Sequence, residues 1–255
     1  MRLQYASDLH LESSKNFRFV MSGGLEAAGD LLVLSGDIAP LSCLEKYDEF
    51  WDWCAEKFSF TVFVPGNHDY YGRWQDFDAF AAPIRRSIRK NVLCAANAVV
   101  RVEDCDIIAS TLWSKIAPEH QAEIVRILLD FHQIEIGERP LTAADFNLAH
   151  ERSRQFLQRA VAESTARHVI VATHHVPSFS VVAPQHKDSP LTTGFASELG
   201  SWIAESPIEC WIYGHSHTSV EGVIGKTKIL SNQLGYVKIN EPSGYQRAKF
   251  VDIGD

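Results

Sequence analysis

Residues 61–69 read Thr-Val-Phe-Val-Pro-Gly-Asn-His-Asp, a short β-branched and aromatic run that stops at Pro65-Gly66 and is followed at once by an amide, an imidazole and a carboxylate. The run is too short for a buried helix and is rich in residues that favour strands, so it predicts a buried strand. Pro-Gly ends that strand, and the polar triplet is delivered at its carboxyl end. The same construction recurs along the chain. Arg2–Ala6 leads into Ser7-Asp8-Leu9-His10, and Leu31-Leu-Val-Leu34 leads to Gly36-Asp37. His168-Val-Ile-Val-Ala172 leads into Thr173-His174-His175, and Cys210-Trp-Ile-Tyr213 into Gly214-His215-Ser216-His217. Six of the eleven histidines stand at these endings, which is why the endings and not the histidine content carry the reading.

Between the strands, and a further one at Asp106-Ile-Ile-Ala109, lie stretches with helical spacing at about 43–57, 74–89, 142–164 and 197–205. Strand and helix alternate, which predicts a layered α/β fold. The clearest helix is 142–164: Pro140 precedes it, Thr142 and Asp145 resemble a helix start, and Phe146, Ala149, Phe156, Leu157, Ala160 and Val161 recur at helical intervals. It is expected on an outer layer. After Tyr213 the glycine-punctuated segments 219–224, 227–230 and 236 onward predict an antiparallel meander or hairpin. Residues 114–139, with a helical piece at 119–130, read as a lid or a surface excursion.

A chain of 255 residues, 45% hydrophobic, is expected to form one domain around a real core, spanning 1–255. The net charge of -8, from 32 acidic and 24 basic residues, provides no broad basic surface. Long nucleic acid is therefore disfavoured as a partner, while small phosphorylated molecules stay compatible. Five widely spaced cysteines without a C-x-x-C pair fit neither a disulfide framework nor a thiolate zinc site. With no signal-like leader and no apolar run of membrane-spanning length, the expectation is a cytoplasmic protein without a membrane partner. Nothing in the sequence sets an oligomeric state.

In open α/β sheets ligands gather beyond the carboxyl ends of strands, so five such endings can converge on one crevice. In D-x-H and H-x-H the two polar residues lie on the same side of an extended segment, and two ligands arrive together. Carboxylate, imidazole and amide donors without thiolate suit Mn, Zn, Fe, Co or Mg and do not choose among them. Gly36, Gly66 and Gly214 each precede a candidate ligand, where a side chain is expected to crowd the site.

The ordered series Asp8-x-His10, Gly36-Asp37, Gly66-Asn67-His68-Asp69, Thr173-His174 and Gly214-His215-Ser216-His217 resembles the signature of the calcineurin-like metallophosphoesterase superfamily, over residues 8–217. The resemblance implies a four-layer α/β/β/α sandwich of two mixed β-sheets flanked by helices. It implies two divalent metal ions (Mn, Fe, Zn, Co, Ni or Mg), one on Asp8, His10, Asp37 and His217 and the other on Asp37, Asn67, His174 and His215, with Asp37 bridging. His175 is left beside the substrate or behind the ligands. His68 takes the role of general acid or hydrogen-bond donor to the leaving oxygen, with Asp69 orienting it. The implied reaction is hydrolysis of phosphoesters by metal-activated hydroxide without a covalent protein nucleophile. His10 and the compact chain favour small phosphodiesters. A phosphomonoesterase or protein phosphatase is the alternative, then a nuclease, and last a non-catalytic metal-binding scaffold. Arg73 with Trp74, Trp113 at the end of 110–113, Asn232 and Gly235-Tyr236 stand as candidate substrate contacts, each with structural packing as the competing reading.

Overall fold

The computed structural model describes residues 1–241 and 244–254. Fifteen strands appear in it: β1 (Arg2–Ala6), β2 (Leu31–Ser35), β3 (Phe60–Val64), β4 (Gly72–Trp74), β5 (Ile84–Arg89), β6 (Val92–Ala96), β7 (Ala98–Val102), β8 (Cys105–Ser110), β9 (Ile134–Ile136), β10 (Arg139–Pro140), β11 (His168–Thr173), β12 (Cys210–Tyr213), β13 (Gly222–Ile224), β14 (Thr227–Ser231) and β15 (Phe250–Asp252). One six-stranded sheet runs β15-β1-β2-β3-β6-β5 and another runs β13-β14-β12-β11-β8-β7; β10-β9-β4 form a third, smaller sheet. In each large sheet the four central strands are parallel and both edge strands antiparallel.

Alternation within the strands explains the layering. Leu3, Tyr5, Leu31, Val33, Val62 and Val64 point from one sheet toward Ile107, Ala109, Ile170, Ala172 and Ile212 of the other. Their neighbours face outward: Leu32, Leu34 and Phe63 pack under Phe50, Trp51 and Cys54 of the helix Asp48–Lys57. On the opposite side Val169, Val171, Trp211 and Tyr213 pack under Leu157, Ala160 and Val161 of the helix Ala143–Glu163 and Ile203 of Gly200–Glu205. Central strands are thus covered on both faces, which is why they read as continuous apolar runs. The expected four-layer α/β/β/α sandwich of two mixed sheets is what forms. All five cysteines are free. Among the described residues no helix is long and apolar enough to cross a membrane.

Three expectations need correction. The stretch 74–89 is not one helix: after a single turn at Phe77–Phe80, Pro83 supplies no N–H, and Ile84–Arg89 becomes the edge strand β5. It pairs antiparallel with β6 across the two-residue turn Lys90-Asn91, from Ile84 opposite Ala96 to Arg89 opposite Val92. Among the described residues the strand after β14 begins only at Phe250, as β15, and not at 236. Gly235 and Asn240 take positive φ, and Val237–Ile239 between them is a single helical turn. Finally, the helical piece in 114–139 is shorter than 119–130, spanning Gln121–Ile127 with a second turn at Asp130–Gln133. This region is packed down, with Ile124, Phe131, Ile134 and Ile136 buried, and β9 ties it to β4 just after the Gly66–Asp69 segment.

The start of helix Ala143–Glu163 is a capping box: the Thr142 hydroxyl accepts from the Asp145 amide at 3.2 Å, and the Asp145 carboxylate accepts from the Thr142 amide at 3.0 Å. Arg139 donates twice to the same carboxylate, at 2.6 and 3.0 Å. Thr142→Ala is expected to lower stability by about 1 kcal/mol. Denaturant unfolding should show a lower midpoint at unchanged slope, and an unchanged midpoint would remove the cap from the account.

Candidate metal centre

Each candidate ligand stands just past the end of a central strand, and the loops that carry them are tied by main-chain hydrogen bonds. Asp8 N–H donates to Gly36 O, His10 N–H to Asp37 O, and Gly214 N–H to His174 O, at 2.9–3.0 Å. The carboxylates add a second set of ties. Asp8 accepts the amide of His215 at 3.0 Å and Asp37 that of His68 at 2.9 Å. Turning so sharply has a backbone cost: Asp8 (φ 56°), His10 (45°), Asp37 (55°), His215 (78°) and His217 (49°) are all left-handed. Such conformations cost on the order of 1–3 kcal/mol each and persist only where surrounding structure over-determines them. At Gly36 (φ 89°) a methyl would overlap the His174 ring, and at Gly66 it would overlap the Asp37 carboxylate, as the sequence pattern led one to expect.

The ring nitrogens are sorted by what lies behind them. His10 Nδ1 is 2.9 Å from Glu12 Oε1 and His217 Nδ1 is 2.8 Å from Glu241 Oε2. His174 Nδ1 is 3.0 Å from the carbonyl of Ser35. Placing the hydrogens on these nitrogens, as the network requires, leaves the Nε2 lone pairs turned inward. His10 Nε2 and His217 Nε2 then face each other at 3.0 Å, with Asp37 Oδ2 at 3.7 Å from the first and Asp8 Oδ1 at 3.5 Å from the second. His174 Nε2 faces Asn67 Oδ1 at 2.9 Å, Asp37 Oδ1 at 3.4 Å and His215 Nδ1 at 3.1 Å. Asn67 presents its oxygen because its amide nitrogen donates to Asp130 Oδ1 at 2.7 Å. Acceptors crowded this way, in residues that apart from His217 are almost fully buried, repel unless cations or protons lie among them. The residues therefore fit divalent cations.

Protonation follows the same logic. Burial opposes charge on His10, but its hydrogen bond to Glu12 and the charges of Asp37 and Asp8 outweigh it and raise the imidazole to about 9. His174 is likewise raised to about 9, against burial, by Asp37 and Asp8. Asp37 is held well below the usual carboxylate range, again against burial, chiefly by the imidazoles of His174, His68 and His10. Burial and then neighbouring imidazoles push His175 and His215 well down.

Five expected contacts lie elsewhere. Asp69 does not hydrogen-bond the His68 ring. Its carboxylate accepts the amides of Gly66 (2.7 Å), Asp37 (2.9 Å) and Ile38 (3.1 Å) and so pins two ligand loops together. His175 takes the second of its two expected places: fully buried behind the candidate ligands, 4.1 Å ring to ring from His215, it does not line the cleft. Arg73 points into solvent and pairs with Glu135 at 2.7 Å. Trp113 is core, packed on Tyr70, Phe80 and Phe146. Trp74 and Asn232 are also structural, bonded to main-chain oxygens. Tyr236 does reach the site: it stacks on His10 at 4.3 Å, and its hydroxyl is 3.5 Å from His68 Nδ1.

Sequence reasoning missed Glu12, Glu241 and Asp130, the carboxylates behind His10, His217 and Asn67. Glu12 had a signal, since it continues the alternation of Asp8 and His10. The other two lie in irregular segments whose sequence offers none. A cleft of about 430 Å3 opens over the centre, floored by Asp37, Asn67, His68, His215 and His217.

The chain is similar to several known proteins. A family model described as calcineurin-like phosphoesterase matches residues 1–219. Uncharacterized protein L509 of Acanthamoeba polyphaga mimivirus is 28% identical, covering 98% of this chain and 96% of its own. The crystal structure of phosphopantetheinyl hydrolase (PptH) from Mycobacterium tuberculosis superposes with a TM-score of 0.65 at 15% identity, over 92% of this chain and 90% of that one. That likeness shows a shared fold. A dimetal phosphatase from Danio rerio aligns at 11% identity over 91% of this chain and 87% of that one, with a TM-score of 0.44.

Asp130→Ala frees the Asn67 amide to rotate. Metal titration is expected to show binding weakened about 10–100-fold, the scale for losing such a supporting contact. Unchanged affinity in the variant would deny Asp130 this role.

Proposed function

The chain belongs to the calcineurin-like phosphoesterase family, and on that premise we propose that it hydrolyses phosphoesters, small phosphodiesters foremost, at a pair of divalent cations. The observation that carries the reading is the position of Asp37. It belongs to both compact groups of ligand atoms, Asp8-His10-Asp37-His217 and Asp37-His174-His215, in each of which the atoms lie within 4.8 Å of one another. Asn67 Oδ1, beside His174 Nε2, extends the second group. We assign the first cation to Asp8, His10, Asp37 and His217, and the second to Asp37, Asn67, His174 and His215. Two such ions, when bound, supply Lewis acidity: they lower the pKa of water and offset charge on the phosphoryl oxygens during in-line displacement. The donor types accommodate Mn, Fe, Zn, Co, Ni or Mg.

The remaining work falls to side chains. His68 lines the cleft while its amide is tied to Asp37, so its ring is anchored beside the reacting group. Its Nδ1 is turned toward Tyr236 Oη at 3.5 Å and Glu12 Oε1 at 4.0 Å. We therefore assign to Nε2 the proton that reaches the leaving oxygen. Glu12 and Tyr236, in place of Asp69, orient the ring. The preference for diesters rests on His10 filling its place in the first group, and the acidic net charge argues against a nucleic-acid backbone as substrate.

Chelation of the purified protein is expected to abolish turnover, and readdition of a divalent ion to restore it. Asp37→Ala should lose both metals and all activity, whereas His68→Ala should keep its metal content, by elemental analysis, and lose about 10²–10⁴ in kcat. Full activity in metal-depleted Asp37→Ala protein would refute the assignment. With manganese present, bis(4-nitrophenyl) phosphate should be cleaved with higher kcat/KM than a phosphopeptide. The reverse order would replace the diester reading with a protein phosphatase.

A further inference from the structure

Above the ligands the cleft changes character. Ile127, Leu128 and Leu129 form one wall, and Val182, Leu191 and Phe195 the other. Ile127 is 42% and Leu129 56% exposed, so large apolar groups are held open to water at the mouth of a polar site. Exposed apolar surface gathered at a cleft marks a place where something apolar binds. The segments that carry the walls are joined to each other, since Ser114 Oγ donates to the carbonyl of Thr193 at 2.9 Å and the Ala117 amide donates to Thr193 Oγ1 at 3.2 Å. They also begin at the metal centre itself, where the Phe195 ring lies 4.7 Å from that of His215. Among the described residues no lysine or arginine lines the cleft; the polar side chains between the apolar ones are His186, Ser189 and Thr192.

A phosphoryl group anchored at the cations leaves its ester substituent between these walls. A substituent with further phosphates would have to shed water from its charges there with no lysine or arginine to receive them, at a cost that apolar contact does not offset. We propose that the ester group taken by this site is uncharged and apolar, an aryl group or a short alkyl chain, and that Ile127, Leu129 and Phe195 set that specificity. The proposal rests on the phosphoesterase reading above.

The test uses the metal-loaded protein and two readouts. Calorimetry with methyl-, butyl- and hexylphosphonate, which cannot be hydrolysed, is expected to show Kd tightening about threefold to fourfold per methylene, the gain for burying one CH₂. Hydrolysis of the methyl, butyl and hexyl 4-nitrophenyl phosphates, which share one leaving group, should show kcat/KM rising with the same slope. Leu129→Ser and Ile127→Ser should each flatten both slopes, and circular dichroism checks that each variant is folded. Turnover with no dependence on chain length, or tighter binding of a nucleoside diphosphate than of hexylphosphonate, overturns the apolar subsite and leaves the hydrolase standing. No turnover of any mono- or diester with any of the six metals overturns both.

Discussion

Everything about this site follows from lone pairs that face one another. Two imidazole nitrogens at 3.0 Å, with carboxylate oxygens beside each, form an arrangement that apolar packing alone does not hold. The protein resolves the conflict from behind, fixing each donor by a partner on its far side: Glu12 for His10, Glu241 for His217, Ser35 for His174 and Asp130 for Asn67. What remains in the middle is negative potential with nowhere to go except onto a cation or a proton. In the absence of metal, protons are taken up, which is the meaning of the raised imidazoles of His10 and His174.

The fold's contribution is to make that crowding geometrically unavoidable. Parallel central strands in both sheets stop together, and the loops beyond them are bound to each other by amides that the site's own carboxylates accept. Asp69 is the clearest case, because one buried carboxylate gathers three amides from the Gly36–Ile38 and Gly66–Asp69 loops. Five left-handed non-glycine residues among seven candidate ligands then read as strain stored where the sheets over-determine the backbone. Stability and site are the same set of interactions here, and an alanine at Gly36 or Gly66 damages both at once.

The strand ends and the inward-facing polar groups were legible because they obey short rules: a β-branched run, a glycine, then polar residues at a spacing of one. The long helix was legible from its cap and its apolar interval. What was not legible obeys no local rule. Ile84–Arg89 looks helical until Pro83 and the pairing with Val92–Ala96 are weighed, and that pairing is a tertiary fact. Trp113 and Arg73 looked like site residues because they follow a strand end and the Asn67–Asp69 block. Backbone direction then sent one into the core and the other into solvent. The carboxylates behind the ligands were hardest, since Asp130 and Glu241 are brought to the site from 63 and 24 residues away from the side chains they orient.

Asp130 also shows why the irregular segment 114–139 matters more than its sequence suggests. Ile127, Leu128 and Leu129 form a wall of the cleft, and the very next residue holds Asn67 at 2.7 Å and the Tyr71 hydroxyl at 3.0 Å. The surface proposed to meet the ester group and the contact that aims Asn67, a candidate metal ligand, are therefore consecutive in the chain. A change of wall that moves the backbone at 129 by a few tenths of an ångström is transmitted to the Asn67 amide, because a charge-assisted hydrogen bond of that length has little slack. On the proposed assignment, substrate preference and metal affinity at the second group are thus coupled by covalent connectivity. In this scaffold the shape of the cleft is constrained by the electrostatics beneath it.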